Sequence, residues 1–350
     1  MNKRFGVAIV GGSGYGAGEL LRILSMHPDI EVCSVTSRSH AGKPVSSIHS
    51  HLKGTTSLNF DEAPQLTTLK RYERSVLVLA MPTGLAVSAI ETALAQGLSE
   101  NTSVIDLSGD LRLRDAAQHQ QFYPEVEFSA ELRASFIYGL TELSRREISH
   151  ARFITNPGCL ASAAILALAP LASKPLTGQV VVDAKTGTSG AGRELQASMH
   201  HPSRTADFTA YKTLQHRHEP EILQALGPSF NPGGSFIFSP HLLPVSRGIF
   251  VSAYLSLTES CSAEALTQHY HNFYADSPFI RLRDTPPRLA DVVGTNFCDI
   301  AVTVRGNQVV IMSAIDNLGK GMAGQAIQNM NLLFGLPEKT GLMTPALGPV

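Results

Sequence analysis

Neither sign of charge dominates this chain. Across 350 residues, 28 Lys and Arg stand against 29 Asp and Glu, a net charge of −1. So balanced a chain has no general electrostatic footprint for nucleic acid or an anionic membrane. Long apolar runs are missing as well. The most apolar stretch, residues 161–171, falls far short of the ~20 residues that span a bilayer. The apolar run behind the basic start MNKR covers residues 5–10 and ends in a glycine-rich turn. A secretory core needs roughly 7–15 apolar residues and a cleavage site, so no leader or anchor is expected. Cysteine is scarce and scattered, at Cys33, Cys159, Cys261 and Cys298, with no CxxC pair. That excludes a disulfide framework and a zinc knuckle and makes the reducing cytoplasm the expected compartment. No internal repeat or low-complexity segment is present.

What is present is core material. Hydrophobic residues make up 43% and charged residues 16%, a balance that excludes intrinsic disorder. The length suits about two domains. In the first half, short apolar runs at 5–10, 31–36, 75–80 and 103–107 alternate with helical stretches at 16–26 and 85–96. Strands separated by helices imply a parallel, doubly wound sheet. From about residue 178 the pattern changes to strands at 180–184, 235–238, 249–257, 299–304 and 308–315, several with alternating polarity. This predicts an α+β domain on a largely antiparallel or mixed sheet, followed by a last helix over 324–333.

Chemistry enters at the first turn. After the first strand come Gly11, Gly12, Ser13, Gly14, Tyr15 and Gly16, leading into Glu19-Leu20-Leu21-Arg22. Glycines there let backbone approach a pyrophosphate held at the positive end of a helix. Gly11, Gly14 and Ala17 give GxxGxxA, an imperfect version of the dinucleotide fingerprint, so the strand–loop–helix–strand context carries the assignment. The second strand ends in Thr36-Ser37-Arg38-Ser39. An NAD site typically places an acid here against the ribose; hydroxyls and a guanidinium suit a 2′-phosphate, so NADP is expected.

Cys159 follows Asn156-Pro157-Gly158 and opens an almost wholly apolar stretch over 160–171. A thiol at the start of a buried helix sits in partial positive charge that favours the thiolate. Cys33 and Cys298 lie in or beside apolar strands and read as small buried hydrophobes. His216 and His218 flank Arg217 ahead of Glu219-Pro220, and an imidazole there can take the thiol proton and serve the substrate oxygen. Metal binding would need His200 and His201 as further ligands. No cysteine or acid falls at finger or HExxH spacing, so no metal is expected. A third cluster, Thr186-Gly187-Thr188-Ser189-Gly190-Ala191-Gly192-Arg193, offers small residues and a guanidinium for a phosphate or carboxylate.

A dinucleotide fold with a later cysteine and histidine resembles the phosphorylating aldehyde dehydrogenases. Nine segments in order narrow the resemblance to the N-acetyl-gamma-glutamyl-phosphate reductases. They are GGSGYGAGELLR, SRSHAGKPVSSIHSHLKG, VIDLSGDLRLRD, YGLTELSRREI, NPGC, SGAGR, HRHEPEI, SPHLLPVSRGIF and DNLGKGMAGQAIQNMNLLFGLPEKTGL. The resemblance implies a Rossmann-type NADP domain over 1–155, a catalytic and dimerisation α+β domain over 156–318, and a C-terminal helix and tail over 319–350 returning to the first domain. It makes Cys159 the nucleophile that attacks an acyl phosphate, expels inorganic phosphate and forms a thioester for reduction by NADPH. It matches the HRH motif to the family's acid/base segment, with His216 favoured and His218 beside it. Cofactor contacts extend by the same likeness to Ser189, Gly190 and Asn317. Substrate contacts fall on Arg112, Asn156, Ser162, Arg193 and Arg217. A cytoplasmic homodimer or homotetramer acting on a small molecule, without nucleic-acid or membrane partners, is implied.

The chain departs from the family pattern in three places. The usual NPGCYPT reads NPGCLAS, so Leu160, Ala161 and Ser162 change the wall beside the nucleophile. The usual ALPHG reads AMPTG, with Thr83 in place of a histidine. Residues 198–207 read SMHHPSRTAD rather than the family's Glu-Val-Asn-Glu type. That segment resembles reductases of carrier-linked aminoadipyl phosphate, which makes lysine biosynthesis the alternative expectation to arginine biosynthesis.

Overall fold

A computed structural model of the chain describes residues 3–230 and 235–348. It divides into two compact units, Met1–Pro157 with Met322–Met343 and Gly158–Gly321 with Thr344–Val350.

The first unit is built on β1 (Phe5–Val10), β2 (Ile30–Thr36), β3 (Arg74–Leu79), β4 (Thr102–Asp106), β5 (Phe136–Tyr138) and β6 (Phe153–Thr155). All pair in parallel, in the order β2-β1-β3-β4-β6-β5. The inner strands β1 and β3 are buried along nearly their whole length, which is why they read as unbroken apolar runs. The helix Tyr15–Leu24 buries Ala17, Leu20, Leu21 and Leu24, an i, i+3, i+4, i+7 stripe that faces the sheet. From β1 the chain crosses to β2 on one side and then to β3 on the other. Such a reversal opens a crevice at the carboxyl ends of the strands, where open α/β sheets bind ligands. Helix Gly324–Leu333 belongs to this unit. The side-chain amides of Gln325 and Asn329 donate to the Gly139 carbonyl at 3.0 and 2.8 Å, and Gln325 also donates to Thr141 Oγ1 at 2.7 Å.

The second unit carries β7 (Leu176–Thr186), β8 (Thr209–Ala210), β9 (Phe236–Leu242), β10 (Ile249–Leu257), β11 (Ile280–Leu282), β12 (Cys298–Arg305) and β13 (Gln308–Ile315). Their order is β11-β12-β13-β10-β7-β9-β8. The four central strands β12, β13, β10 and β7 are antiparallel, while β7–β9 and β11–β12 pair in parallel, so the sheet is mixed. Gly306, at φ +64°, supplies the left-handed residue of the two-residue β12–β13 hairpin. Helix Cys159–Leu168 lies in the core, with every residue from Leu160 to Leu168 buried. Burying Leu160, Ile165, Leu166 and Leu168 contributes on the order of 6–12 kcal/mol of transfer free energy. Ser313 Oγ donates to the Ala163 carbonyl at 2.9 Å, and the Tyr270 and Tyr274 hydroxyls to those of Ala167 and Leu166 at 2.7 and 2.5 Å. The helix that begins at Cys159 is therefore fixed along its length.

Candidate active site

In the first unit, the loop after β1 is shaped by its glycines. Gly11 adopts φ +85°, and a methyl group on it would lie 2.5 Å from the Ala80 carbonyl oxygen at the end of β3. Only glycine fits a left-handed turn this close to another backbone. Gly12 donates its N–H to the Thr36 carbonyl at 2.7 Å, tying the loop to the end of β2. Gly14 caps helix Tyr15–Leu24 with nothing within 4 Å of where its side chain would stand. Loop, open glycine face and helix N-terminus form a cradle suited to a pyrophosphate. His49, which the sequence reading passes over, holds this loop from beneath. Its Nε2 is 2.7 Å from the Gly12 carbonyl oxygen, and its ring fills the space that the missing side chain of Gly18 leaves.

At the end of β2, Ser37 is buried and Arg38 exposed. The Ser37 and Ser39 hydroxyls converge on His40 Nδ1 at 3.1 and 2.9 Å. Asp61 arrives beside Thr36 as a bridge partner but accepts a hydrogen bond from the Ser34 hydroxyl at 2.7 Å. The rim that follows β2 thus offers hydroxyls and guanidinium, the chemistry that accepts a 2′-phosphate.

In the second unit, Cys159 is the first residue of its helix, half-buried, with Gly158 as the N-cap. The second helix of the site, His218–Leu226, starts with Arg217 at its N-cap. Its first residue lies against the turn that carries the thiol: a methyl group on Gly158 would stand 2.3 Å from His218 Nε2. One turn further along, Glu221 Oε1 accepts the Gly158 N–H at 2.7 Å. Gly321 closes another side, where a methyl group would meet Cys159 Cβ at 2.8 Å. It lies in the π-helical turn Gly319–Ala323, an irregularity that recurs at functional sites.

His216 sits behind His218. Its Nδ1 accepts the His218 backbone N–H at 3.1 Å, so the ring proton resides on Nε2. Burial, with the Arg217 and Lys212 charges, pushes its pKa down to about 3, and the ring is neutral at ordinary pH. Tyr211 packs edge-on against it at 5.5 Å. Burial and the nearby Cys159 raise the Tyr211 phenol well above its usual range. The segment between them holds Lys212 and Leu214 at φ 49° and 58°, left-handed conformations that cost non-glycine residues and gather at functional sites.

The remaining expected site residues divide by environment. Arg193 and Arg217 are exposed. Ser189 Oγ accepts from Asn317 Nδ2 at 2.8 Å, Asn317 Oδ1 accepts the Gly248 N–H at 2.8 Å, and Gly190 is exposed beside them. Arg112 is buried and donates to the Asn156 and Leu107 carbonyls at 2.9 and 3.1 Å. The Asn156 amide donates to the Met322 carbonyl at 3.1 Å. Ser162 is wholly buried, its hydroxyl without a hydrogen-bond partner. These last three, which the family resemblance places at the substrate, are all buried. Among the described residues no group of three or more His, Cys, Asp or Glu is placed to hold a metal ion, and no helix is long and apolar enough to cross a membrane.

Residues 6–151 match the family model for the semialdehyde dehydrogenase NAD binding domain, and residues 159–317 match that for the semialdehyde dehydrogenase dimerisation domain. Proteins named N-acetyl-gamma-glutamyl-phosphate reductase match end to end. The one from Methanosarcina mazei is 44% identical, covering 100% of both chains. That from Bacillus subtilis is 43% identical over 98% of this chain and 99% of its own, and that from Pelotomaculum thermopropionicum 41% over the same shares. Each is named for the acetylglutamyl rather than the aminoadipyl substrate. Among solved structures, aspartate semialdehyde dehydrogenase II of Vibrio cholerae in complex with ASA has a TM-score of 0.63 at 15% identity, over 95% of this chain and 99% of that one. A probable aspartate-semialdehyde dehydrogenase from Pseudomonas aeruginosa gives 0.65 at 18% over the same shares. At that identity they bear on the fold alone.

Proposed function

The chain belongs to the N-acetyl-gamma-glutamyl-phosphate reductase family of semialdehyde dehydrogenases, and on that premise we propose that it reduces N-acetyl-gamma-glutamyl phosphate to N-acetylglutamate 5-semialdehyde in arginine biosynthesis, with Cys159 as nucleophile and His218 as acid/base. The observation that carries this reading is the thiol at the N-terminus of a buried helix with the His218 imidazole against the same turn. The positive end of the helix dipole stabilises the Cys159 thiolate. Its sulfur attacks the acyl carbon, the carbon–oxygen bond to phosphate breaks, and inorganic phosphate leaves with the electron pair. Residues 11–16 with Ser37 and Arg38 would hold NADPH, which when bound would supply the hydride needed to reduce the thioester carbon. His218 protonates the oxygen of the resulting thiohemiacetal and takes that proton back as the carbon–sulfur bond breaks, releasing aldehyde and thiolate.

His218 rather than His216 is the acid/base in this reading. The His216 Nδ1 is occupied by the His218 backbone N–H, and burial with the Arg217 and Lys212 charges keeps the ring neutral, so it is the poorer carrier of a proton at pH 7. His216 instead holds the His218 backbone. Exposed Arg193 and Arg217 are the candidate grips for the substrate's carboxylate and phosphate. Serine and arginine at the end of β2, without a free acid, favour NADP over NAD. The dimerisation-domain match supports an oligomer, which we take to be a homodimer or homotetramer in the cytoplasm. The test is phosphate-dependent reduction of NADP with N-acetylglutamate semialdehyde. Turnover that requires phosphate and disappears in Cys159→Ser is expected; phosphate-independent turnover contradicts the reading.

A further inference from the structure

The helix that presents Cys159 lacks the cap its own sequence would normally supply. An N-terminal capping box uses a Glu or Gln at the third helical position to accept the N–H of the N-cap residue. With Gly158 as N-cap, that third position is Ala161, and the residues between are Cys159 and Leu160. None carries an acceptor that reaches back, and no side-chain cap is made. The acceptor comes instead from the neighbouring helix, where Glu221 Oε1 takes the Gly158 N–H at 2.7 Å. Glu221 is wholly buried, so this carboxyl is packed in place rather than loosely resting on a surface.

Spacing gives the bond its meaning. Glu221 lies three residues after His218 on the helix His218–Leu226, and residues at i and i+3 share a helix face. One face thus brings two groups to one glycine: an imidazole against its Cα and a carboxyl oxygen on its N–H. Gly158 is bonded directly to Cys159. The place of the thiol is therefore set from the helix that carries the imidazole.

We infer that Glu221 is a positioning residue that caps the nucleophile's helix from outside it and so fixes the separation between the Cys159 thiol and the His218 imidazole. The inference rests on the thioester reading for its catalytic consequence, though the positioning is measurable without turnover. It also specifies the chemistry required at 221: an acceptor oxygen at glutamate's reach, whether or not that group is charged.

Three variants of the full-length protein separate reach from charge. Glu221→Gln keeps an acceptor at the same distance, Glu221→Asp keeps the carboxyl but withdraws it by one methylene, and Glu221→Ala removes it. The readout is iodoacetamide alkylation of Cys159 against pH, followed on the Cys159 peptide so that the other cysteines do not interfere, together with kcat and KM. Misplacing reacting groups by about 1 Å can cost two orders of magnitude. Glu221→Ala and Glu221→Asp are expected to raise the pH midpoint of alkylation and lower kcat at least about tenfold, with KM for NADPH unchanged. Glu221→Gln is expected to stay within about threefold of the parent. Alkylation of Glu221→Ala and Glu221→Asp along the parent's profile overturns the inference, as does a Glu221→Gln protein as impaired as Glu221→Ala. Because Gln and Asp conserve shape or charge, their comparison stands even if Glu221→Ala fails to fold. Cys159→Ser run in parallel isolates the premise: turnover there overturns the thioester reading, while the alkylation series alone decides the positioning.

Discussion

Replacing Gly158 with alanine puts the geometry of the site under a graded load. The residue has φ −67° and ψ 142°, which alanine adopts without strain, so the backbone gives no reason for glycine. The reason is the imidazole. The new methyl group would stand 2.3 Å from His218 Nε2 and 2.7 Å from both adjacent ring carbons, whereas carbon contacts are comfortable from about 3.5 Å. The ring must retreat by about 1 Å, since its helix is held by Glu221 and by packing. A displacement of that size between reacting groups costs about 100-fold, or about 2.7 kcal/mol of barrier. The cost to folding is smaller. Alanine is a poorer N-cap than glycine by roughly 0.5–1 kcal/mol, which lowers Tm by only a few degrees in a protein of this size. Steady-state kinetics, fluorescence titration with NADPH and a thermal melt on one preparation separate these effects. The expectation is kcat down about 100-fold, NADPH affinity unchanged and Tm within about 4 °C. A Gly158→Ala enzyme with kcat within threefold of the parent would refute the assignment of His218 to the chemistry.

Further expectations follow from the same geometry. Arg38→Glu places a carboxylate where the 2′-phosphate would lie, and the ratio of NADPH to NADH kcat/KM should fall at least about tenfold; an unchanged KM for NADPH contradicts the NADP assignment. His216 is held at a pKa of about 3 by burial, below the ~6.5 of an unfolded histidine. The unfolded chain therefore binds the proton first, and the stability that depends on the neutral ring is present above pH 6.5 and lost as pH falls toward 3. In NMR its ring should show no titration between pH 5 and 8, and a midpoint near 6.5 would contradict the burial argument. Asp106 behaves in the opposite sense. Burial raises it to about 7 although Ser108 donates to both its oxygens at 2.9 Å, so the native state keeps its proton longer than the unfolded one. Stability from this group should be full below about pH 4 and fall as pH rises to about 7, by at most about 4 kcal/mol. Urea unfolding of Asp106→Asn should lack that decline; an identical pH profile in parent and variant rejects it.

Much of this architecture could be read from the residues, and the failures have physical causes. The strands at Ile249–Leu257 and Gln308–Ile315 and the helix Gly324–Leu333 were legible because their apolar spacing is unambiguous over eight residues or more. The parallel first sheet and mixed second sheet followed from strand spacing, as the structure and the family models bear out. Short edge strands such as Phe136–Tyr138 and Thr209–Ala210 carry too few residues to show a period. The strand expected over 180–184 runs from Leu176 to Thr186, because Leu176 and Thr177 pair with Leu257 and Ser256 beyond a register shift at exposed Gly178 and Gln179, which carry no apolar signal. At the site, Cys159 announced itself through its helix. Glu221, His49 and Gly321 did not, since each acts through a partner brought near only by folding. For Glu221 the HEPE spacing was the one available hint: a carboxyl on the same helix face as His218. Arg112, Asn156 and Ser162 entered as substrate contacts through the family resemblance; their burial, and the bonds Arg112 makes to the Asn156 and Leu107 carbonyls, depend on folding and have no signal in the sequence.

The central claim is a covalent acyl enzyme on Cys159, and the most direct measurement of it omits the reductant. Mixing the protein with N-acetyl-gamma-glutamyl phosphate in the absence of dinucleotide, then following phosphate release and intact mass, isolates acylation from hydride transfer. The account predicts a burst of phosphate stoichiometric with protein, an N-acetylglutamyl adduct mapped to Cys159, and neither in Cys159→Ser. Steady turnover with NADPH but no burst, no adduct and undiminished activity in Cys159→Ser would contradict it.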